Sequence, residues 1–231
     1  MTFSAIILAG GSGRRMHSSV PKQLIEVKGR PLLYYTISAF EKSKVDSIVL
    51  VVPDGEKEKY KNIFIDGFGC TKITKIVSGG AERYDSVNNA LKVTDSDYVL
   101  VHDGARAFIE PQIINRNIAL VQKYNAVVTA MPVKDTIKIA DENAFVKSTP
   151  NRETLWQIQT PQTFKTSLLK ECYAKLYNEI SSGTFPDHVK ITDDSMVVER
   201  YSDVPVKLIE GSYENIKVTT PEDMLMAENL L

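Results

Sequence analysis

The sequence predicts an α/β fold, with a mostly parallel β-sheet held between two layers of helices and one β-hairpin arm inserted late in the chain. Three observations lead there. Six short Val- and Ile-rich runs, each bounded by Gly, Pro or Asp, are spaced along the 231 residues and read as strands buried on both faces. Amphipathic stretches lie between them, and this β-α-β-α alternation implies parallel strands with helical crossovers on both sides. Residues 134–149 break the rhythm with two short alternating runs around a polar turn.

In chain order the strand runs are SAIILA (4–9), SIVLVVP (47–53), KITKIVSG (72–79), YVLVHDG (98–104), AVVTAMPV (126–133) and VPVKLIEG (204–211). Helical spacing marks LLYYTISAFEKS (32–43), RYDSVNNALKV (83–93), PQIINRNIALVQKY (111–124) and a stretch around 165–180. A last helix opens in TTPEDMLMAENLL, where Thr220 caps, Pro221 takes the first helical position, and Glu222 and Asp223 suit the positive end of the helix dipole. In the arm, TIKI and AFVKS flank ADEN as a hairpin. Such an arm reaches over a site or a partner subunit, or is a plain excursion into solvent.

With 43% hydrophobic residues and no Pro/Gly/Ser-rich linker, the chain is expected to form one domain (1–231) around one core. Its 28 basic and 29 acidic residues argue against a general nucleic-acid binder, which carries a basic excess. No run approaches the roughly 20 apolar residues of a membrane span. The first residues lack a secretory pattern, and Cys70 and Cys172 read as free thiols. A cytoplasmic protein with no membrane partner is expected.

The strongest local signal is Leu8-Ala9-Gly10-Gly11-Ser12-Gly13-Arg14-Arg15-Met16, directly after the first strand run. Ligands of open α/β sheets bind at the carboxyl ends of strands, and glycines let backbone N–H groups approach phosphate oxygens. The loop lacks the Lys-Ser/Thr ending of a P-loop, and Met16 stands where a dinucleotide fingerprint has its third glycine. That speaks against a dinucleotide-dependent oxidoreductase. Arg14, Arg15 and then Lys22 supply cations suited to a triphosphate, although an arginine pair elsewhere is commonly a solvated face.

Four other constellations carry chemistry. Asp103, in His102-Asp103-Gly104-Ala105-Arg106, can bind Mg²⁺ between phosphates or simply form a turn with Gly104. His102 reads as a packed, hydrogen-bonded histidine. Gly79-Gly80-Ala81-Glu82-Arg83-Tyr84-Asp85-Ser86 permits close backbone approach to a base edge, or is a plain strand-to-helix turn. Arg152 and Thr160 pair a forked donor with a hydroxyl, as a phosphate needs. Lys217 adds a cation after the last strand run.

Together LAGGSGRRM…PKQ, GGAERYDSV, VHDGAR, PVKDTIK, LWQIQTPQTF, ITDD and ENIKVTTPED resemble the 2-C-methyl-D-erythritol 4-phosphate cytidylyltransferases, over nearly the whole chain. The resemblance implies a Rossmann-like, nucleotide-diphospho-sugar transferase-like sandwich that transfers CMP from CTP, with Mg²⁺, to a polyol phosphate. It implies catalytic roles for Arg15, Lys22 and Lys217, and CTP contacts from Ala9, Gly10, Gly11, Gly13, Gly80, Ala81, Ser86 and Asp103. Asp103 is also the implied metal residue. Arg106, Thr136, Arg152 and Thr160 would hold the polyol phosphate. The arm (134–155) would cross to the second subunit of a homodimer, bringing Thr136 to the neighbour's site.

Gly10, Ala81, Ala107 and Asn151 depart from the family's commonest residues. Three of these, with TPQTF, also resemble the ribitol-5-phosphate cytidylyltransferases, whereas HDGAR, DTIK, LWQIQTPQ and TDD favour methylerythritol phosphate. The remaining alternative is a nucleotide-binding module without catalysis. Arg15, Lys22, Asp103 and Lys217 are all retained, which speaks against it.

Overall fold

Backbone hydrogen bonds in the computed structural model, which describes residues 1–11 and 20–230, define the elements in chain order. They are β1 (Phe3–Leu8), β2 (Glu26–Val27), β3 (Arg30–Pro31), α1 (Leu32–Glu41), β4 (Ser47–Val52) and α2 (Lys57–Tyr60), which continues as a π-helical turn (Lys61–Gly67). Next come β5 (Ile73–Ser78), α3 (Arg83–Leu91), β6 (Tyr98–Asp103), α4 (Pro111–Tyr124), β7 (Ala126–Pro132), β8 (Ile139–Ala140), β9 (Val146–Ser148) and β10 (Trp156–Lys165). The chain ends with α5 (Thr166–Ser182), α6 (Asp194–Tyr201), β11 (Lys207–Glu210) and α7 (Pro221–Leu230).

The main sheet has the order β11-β7-β10-β6-β1-β4-β5. β1 pairs in parallel with β4 and β6, β4 with β5, and β11 with β7. All six expected strand runs are in it. Side-chain alternation divides the core between the two faces. Phe3, Ala5 and Ile7 of β1 pack with Leu33, Ile37 and Phe40 of α1 and Ile114 and Ile118 of α4. Ile6, Val49, Val99 and Val101 pack on the other face with Val87 of α3, Leu169 and Leu176 of α5, and Val197 and Val198 of α6. The expected three layers follow from this division.

One strand of this sheet was not legible. β10 lies between β6 and β7 and runs antiparallel to both. Three glutamines and a proline obscure it in WQIQTPQTFK. Proline donates no ladder hydrogen bond and is confined to edges or bulges, and Pro161 lies where the pairing with β7 shifts register, between Ile158 and Gln162. Helix α6, also absent from the sequence reading, is capped by the Asp193 carboxylate, which accepts from Met196 N–H at 2.9 Å. The hairpin arm is present: β8 and β9 pair antiparallel, and Asp141 Oδ1 accepts from the N–H groups of Asn143 and Phe145 across the turn. Ile139, Phe145 and Val146 on the arm are exposed.

Candidate active site

The chain leaves β1 for β4 and β5 on one side and then returns to place β6 on the other. Such a reversal opens a crevice at the carboxyl ends of the strands. Three loops meet there. The glycine loop follows β1, residues 79–82 link β5 to α3, and Asp103 ends β6. Between them lies a cavity of about 460 Å³ lined by Leu8, Gly10, Gly11, Lys22, Gly80, Ala81, Arg83, Ser86, Asp103 and Lys217, among others.

The walls of this cavity are tied to the sheet. Ala9 N–H donates to the Val51 carbonyl at 2.7 Å. The buried Gln23 side-chain amide donates to the carbonyls of Ala9 and Gly11, the latter at 2.9 Å. Ala9 is therefore under the cavity floor, 1% exposed, with its carbonyl already taken. Gly80 N–H donates to Ser86 Oγ at 3.0 Å, while Glu82 and Asp85 close a reciprocal cap on α3. A Cβ on Gly80 would fall 2.2 Å from Asp85 Cβ, so the close approach of this turn to its own helix requires glycine.

A second cavity, of about 240 Å³, is lined by Arg106, Ile158, Gln159, Thr160, Gln162, Thr192 and Asp193. It shares Arg83, Asp103 and Lys217 with the first, so these three residues form a common wall. Asp103 Oδ2 meets Lys217 Nζ at 2.9 Å and Arg106 Nε at 3.6 Å, and Oδ1 meets Arg83 Nε at 3.5 Å. Burial opposes ionisation of Asp103, but the charges of Arg83, Lys217 and Arg106 outweigh it and hold the carboxyl well below its ordinary range. The wall therefore carries a fixed carboxylate ringed by cations at neutral pH.

Further contacts join distant segments to this wall. The β10 irregularity brings Thr160 beneath Asp103, whose N–H donates to Thr160 Oγ1 at 3.1 Å. Thr160 Oγ1 also bonds His102 Nδ1 at 3.0 Å. His102 is fully buried, and burial pushes its pKa down to about 3, which fits the packed, neutral histidine expected from sequence. Lys22 Nζ donates to the Val218 carbonyl at 2.7 Å, Val218 N–H donates to the Ala105 carbonyl at 2.9 Å, and Arg106 Nη1 donates to the Asn215 carbonyl at 2.8 Å. The loop carrying Lys217 is thus held from both sides.

Of the residues singled out in the sequence, Gly10, Gly11, Lys22, Gly80, Ala81 and Ser86 line the first cavity, Arg106 and Thr160 the second, and Asp103 and Lys217 both. Arg15 and Gly13 lie outside the described residues. Thr136 and Arg152 are exposed at the arm, where Arg152 Nη1 donates to the Lys134 carbonyl at 2.9 Å; neither lines the two cavities. Three participants were missed. Arg83, buried Asp194 and Tyr173 form one connected group behind the wall. Only the position of Arg83 in the glycine turn and the acidic pair in ITDD hinted at them. A further cavity, about 700 Å³, lies between the end of α4, α5 and residues 201–205 and is lined by none of the candidate site residues.

Among the described residues no three His, Cys, Asp or Glu side chains come together as a metal cage. The donor set nevertheless fits Mg²⁺ held mainly by substrate. One hard, ionised carboxylate, Asp103, lines the first cavity, and Mg²⁺ commonly takes one or two carboxylates, phosphate oxygens and water.

A family model described as 2-C-methyl-D-erythritol 4-phosphate cytidylyltransferase matches residues 3–231. A protein of that name from Lachnospira eligens is 48% identical over 226 residues, covering 97% of this chain and 96% of its own length. Another from Lachnoclostridium phytofermentans is 45% identical over 229 residues, covering 99% and 95%. The crystal structure of 4-diphosphocytidyl-2C-methyl-D-erythritol synthase from Anaerococcus prevotii superimposes with a TM-score of 0.84 at 37% identity, covering 99% of this chain and 95% of that one. With a family model over residues 3–231, relatives 45–48% identical over nearly the whole chain and a solved structure at a TM-score of 0.84, the chain belongs to the 2-C-methyl-D-erythritol 4-phosphate cytidylyltransferase family.

Proposed function

We infer that the two cavities divide the substrates of one reaction between them. The enzyme transfers CMP from CTP to 2-C-methyl-D-erythritol 4-phosphate, giving 4-diphosphocytidyl-2-C-methyl-D-erythritol and pyrophosphate. CTP takes the larger cavity, with its triphosphate on Gly10, Gly11, Arg15 and Lys22 and its base against Gly80, Ala81 and Ser86. The acceptor phosphate takes the smaller one, beside Arg106 and Thr160. Arg152 and Thr136 serve it from the arm, Thr136 across a homodimer interface. The observation that carries this reading is the shared wall: Lys217 and Asp103 border both cavities, where an acceptor oxygen and an α-phosphorus would meet.

The acceptor phosphate is anionic at neutral pH, since its second pKa is about 6, so it attacks without a strong general base. One of its oxygens forms a bond to the α-phosphorus as the bond from that phosphorus to the bridging oxygen breaks, and the electron pair leaves with pyrophosphate. Lys22, Lys217 and Arg15 offset the charge that builds up on the phosphoryl oxygens. Mg²⁺, held by Asp103 and phosphate oxygens, would neutralise charge between the phosphates. An added Cβ at Gly10 would meet the backbone of Val52 and Gly79 only at ordinary contact, 3.4–3.5 Å.

The relatives reported above carry the name of the methylerythritol phosphate enzyme, which favours that acceptor over ribitol phosphate. The exposed apolar arm (134–155) supports homodimerisation, and residues 1–231 are read as one nucleotidyltransferase unit. Among the described residues no helix is long and apolar enough to cross a membrane, and both cysteines are unbridged. The latter supports a cytoplasmic enzyme. Lys22→Ala and Lys217→Ala test the roles of the cations. Each is expected to lower turnover by roughly 10²–10³, measured as pyrophosphate release; near-normal turnover in either would remove that residue from the mechanism.

A further inference from the structure

The three cations around Asp103 are held with different firmness. Lys217 makes the shortest contact, 2.9 Å, yet its side chain is 41% exposed. Arg106 is only 12% exposed and also spans to the Asn215 carbonyl. Arg83 is gripped from behind. Its Nη2 donates to Asp194 Oδ2 at 2.8 Å, and Asp194 is fully buried. Tyr173 O–H donates to the other oxygen, Asp194 Oδ1, at 2.7 Å. The N–H groups of Asp194 and Ser195 donate to Gln162 Oε1 at 3.0 and 2.9 Å. The grip comes from the packed helices α5 and α6 and the central strand β10, not from a loop.

This difference matters when phosphates arrive. A cation that serves a phosphate must loosen its hold on Asp103, and a buried carboxylate that loses compensating charge is destabilised. We propose that Arg83 is the permanent counter-ion of Asp103, fixed there by the positioning residues Asp194 and Tyr173, so that Lys217 is free to exchange from Asp103 to substrate phosphate during turnover. This rests on the reading of Lys217 as a phosphate cation. Asp194 also neutralises Arg83, so the guanidinium contacts Asp103 through Nε alone at 3.5 Å and does not displace Lys217 from the wall before substrate binds.

Tyr173→Phe keeps the ring in the core and removes the hydroxyl that orients Asp194. It is expected to lower kcat about tenfold while the KM values for CTP and for methylerythritol phosphate stay within about twofold, as for other supporting residues behind a site. Asp194→Asn should cost about a hundredfold in kcat, the scale of a misplaced catalytic group. Leu176→Ala, on the same helix and fully buried, removes packing alone. It should lower the melting temperature yet keep kcat within about twofold well below that temperature. A Tyr173→Phe enzyme with kcat within twofold of the parent overturns the proposal, as does a tenfold loss in Leu176→Ala. If Asp194→Asn does not fold, the other two variants decide. Near-normal turnover in Lys217→Ala would instead remove the role of Lys217 itself. Loss there, combined with parental kcat in Tyr173→Phe, would reject the fixed counter-ion alone.

Discussion

Gly80→Ala is a sharp single perturbation of the first cavity. The new Cβ would lie 2.2 Å from Asp85 Cβ and 3.2–3.3 Å from the Asp85 backbone, whereas ordinary contact begins at 3.4 Å. The turn must therefore move by about 1 Å, and Asp85 cannot yield by rotating a side chain because its Cβ is fixed to the backbone, which itself lies only 3.2–3.3 Å away. That movement strains the hydrogen bond from Gly80 N–H to Ser86 Oγ and the reciprocal cap of Glu82 and Asp85. Overpacking of about 1–3 kcal/mol and partial loss of a cap worth about 1 kcal/mol together lower stability by about 2–4 kcal/mol. At about 2–4 °C per kcal/mol for a chain of this size, the melting temperature should fall by roughly 5–15 °C. A displacement near 1 Å costs about a hundredfold in a positioned reaction. Pyrophosphate-release kinetics should therefore show a kcat/KM for CTP lowered at least thirtyfold, with the acceptor KM little changed, because Gly80, Ala81 and Ser86 line the first cavity but not the second. A variant with parental kcat/KM for CTP and parental melting temperature would refute this placement of the β5–α3 turn.

Stability should fall with acid in a defined window. His102 stays neutral in the fold until about pH 3, against an ordinary value of 6.5. Below pH 6.5 the unfolded chain therefore takes up a proton that the fold does not, and stability drops by up to about 1.4 kcal/mol per pH unit. Asp103, with a depressed carboxyl, adds a loss in the same direction below its ordinary value near 3.8. Urea unfolding from pH 8 to pH 4 should show the first loss, and His102→Gln should flatten it; an unchanged slope would exclude His102 as its source. For the arm, Phe145→Asp should convert a dimer to a monomer in light scattering without lowering the melting temperature of the subunit, because Phe145 is 71% exposed. A monomeric parent would remove the arm's assembly role.

Much of the lining of the crevice was legible because glycine turns and cations at strand ends leave marks in the residue types themselves. Gly10-Gly11, Gly80-Ala81, Asp103 and Lys217 stand next to apolar strand runs, and parallel topology brings those ends together. The arm was legible from its alternation around ADEN. β10 was not, since a strand with Pro161 and three glutamines has neither the period nor the composition of one; its pairing is dictated by the strands on either side. Nor was the support behind the wall. Tyr173 lies on the buried face of α5 like any core aromatic, and only folding brings its hydroxyl to Asp194, 21 residues away. Gln23 was equally silent: a surface-type residue in the sequence, it is 3% exposed and pins the glycine loop.

The most direct measurement is pyrophosphate release from CTP, with methylerythritol phosphate, with ribitol 5-phosphate, and with no acceptor. Two cavities that share Asp103 and Lys217 should give release that requires the methylerythritol phosphate and is at least tenfold lower in kcat/KM with ribitol phosphate. Equal or faster release with ribitol phosphate would contradict the assigned acceptor, and no release with either would contradict the transfer itself.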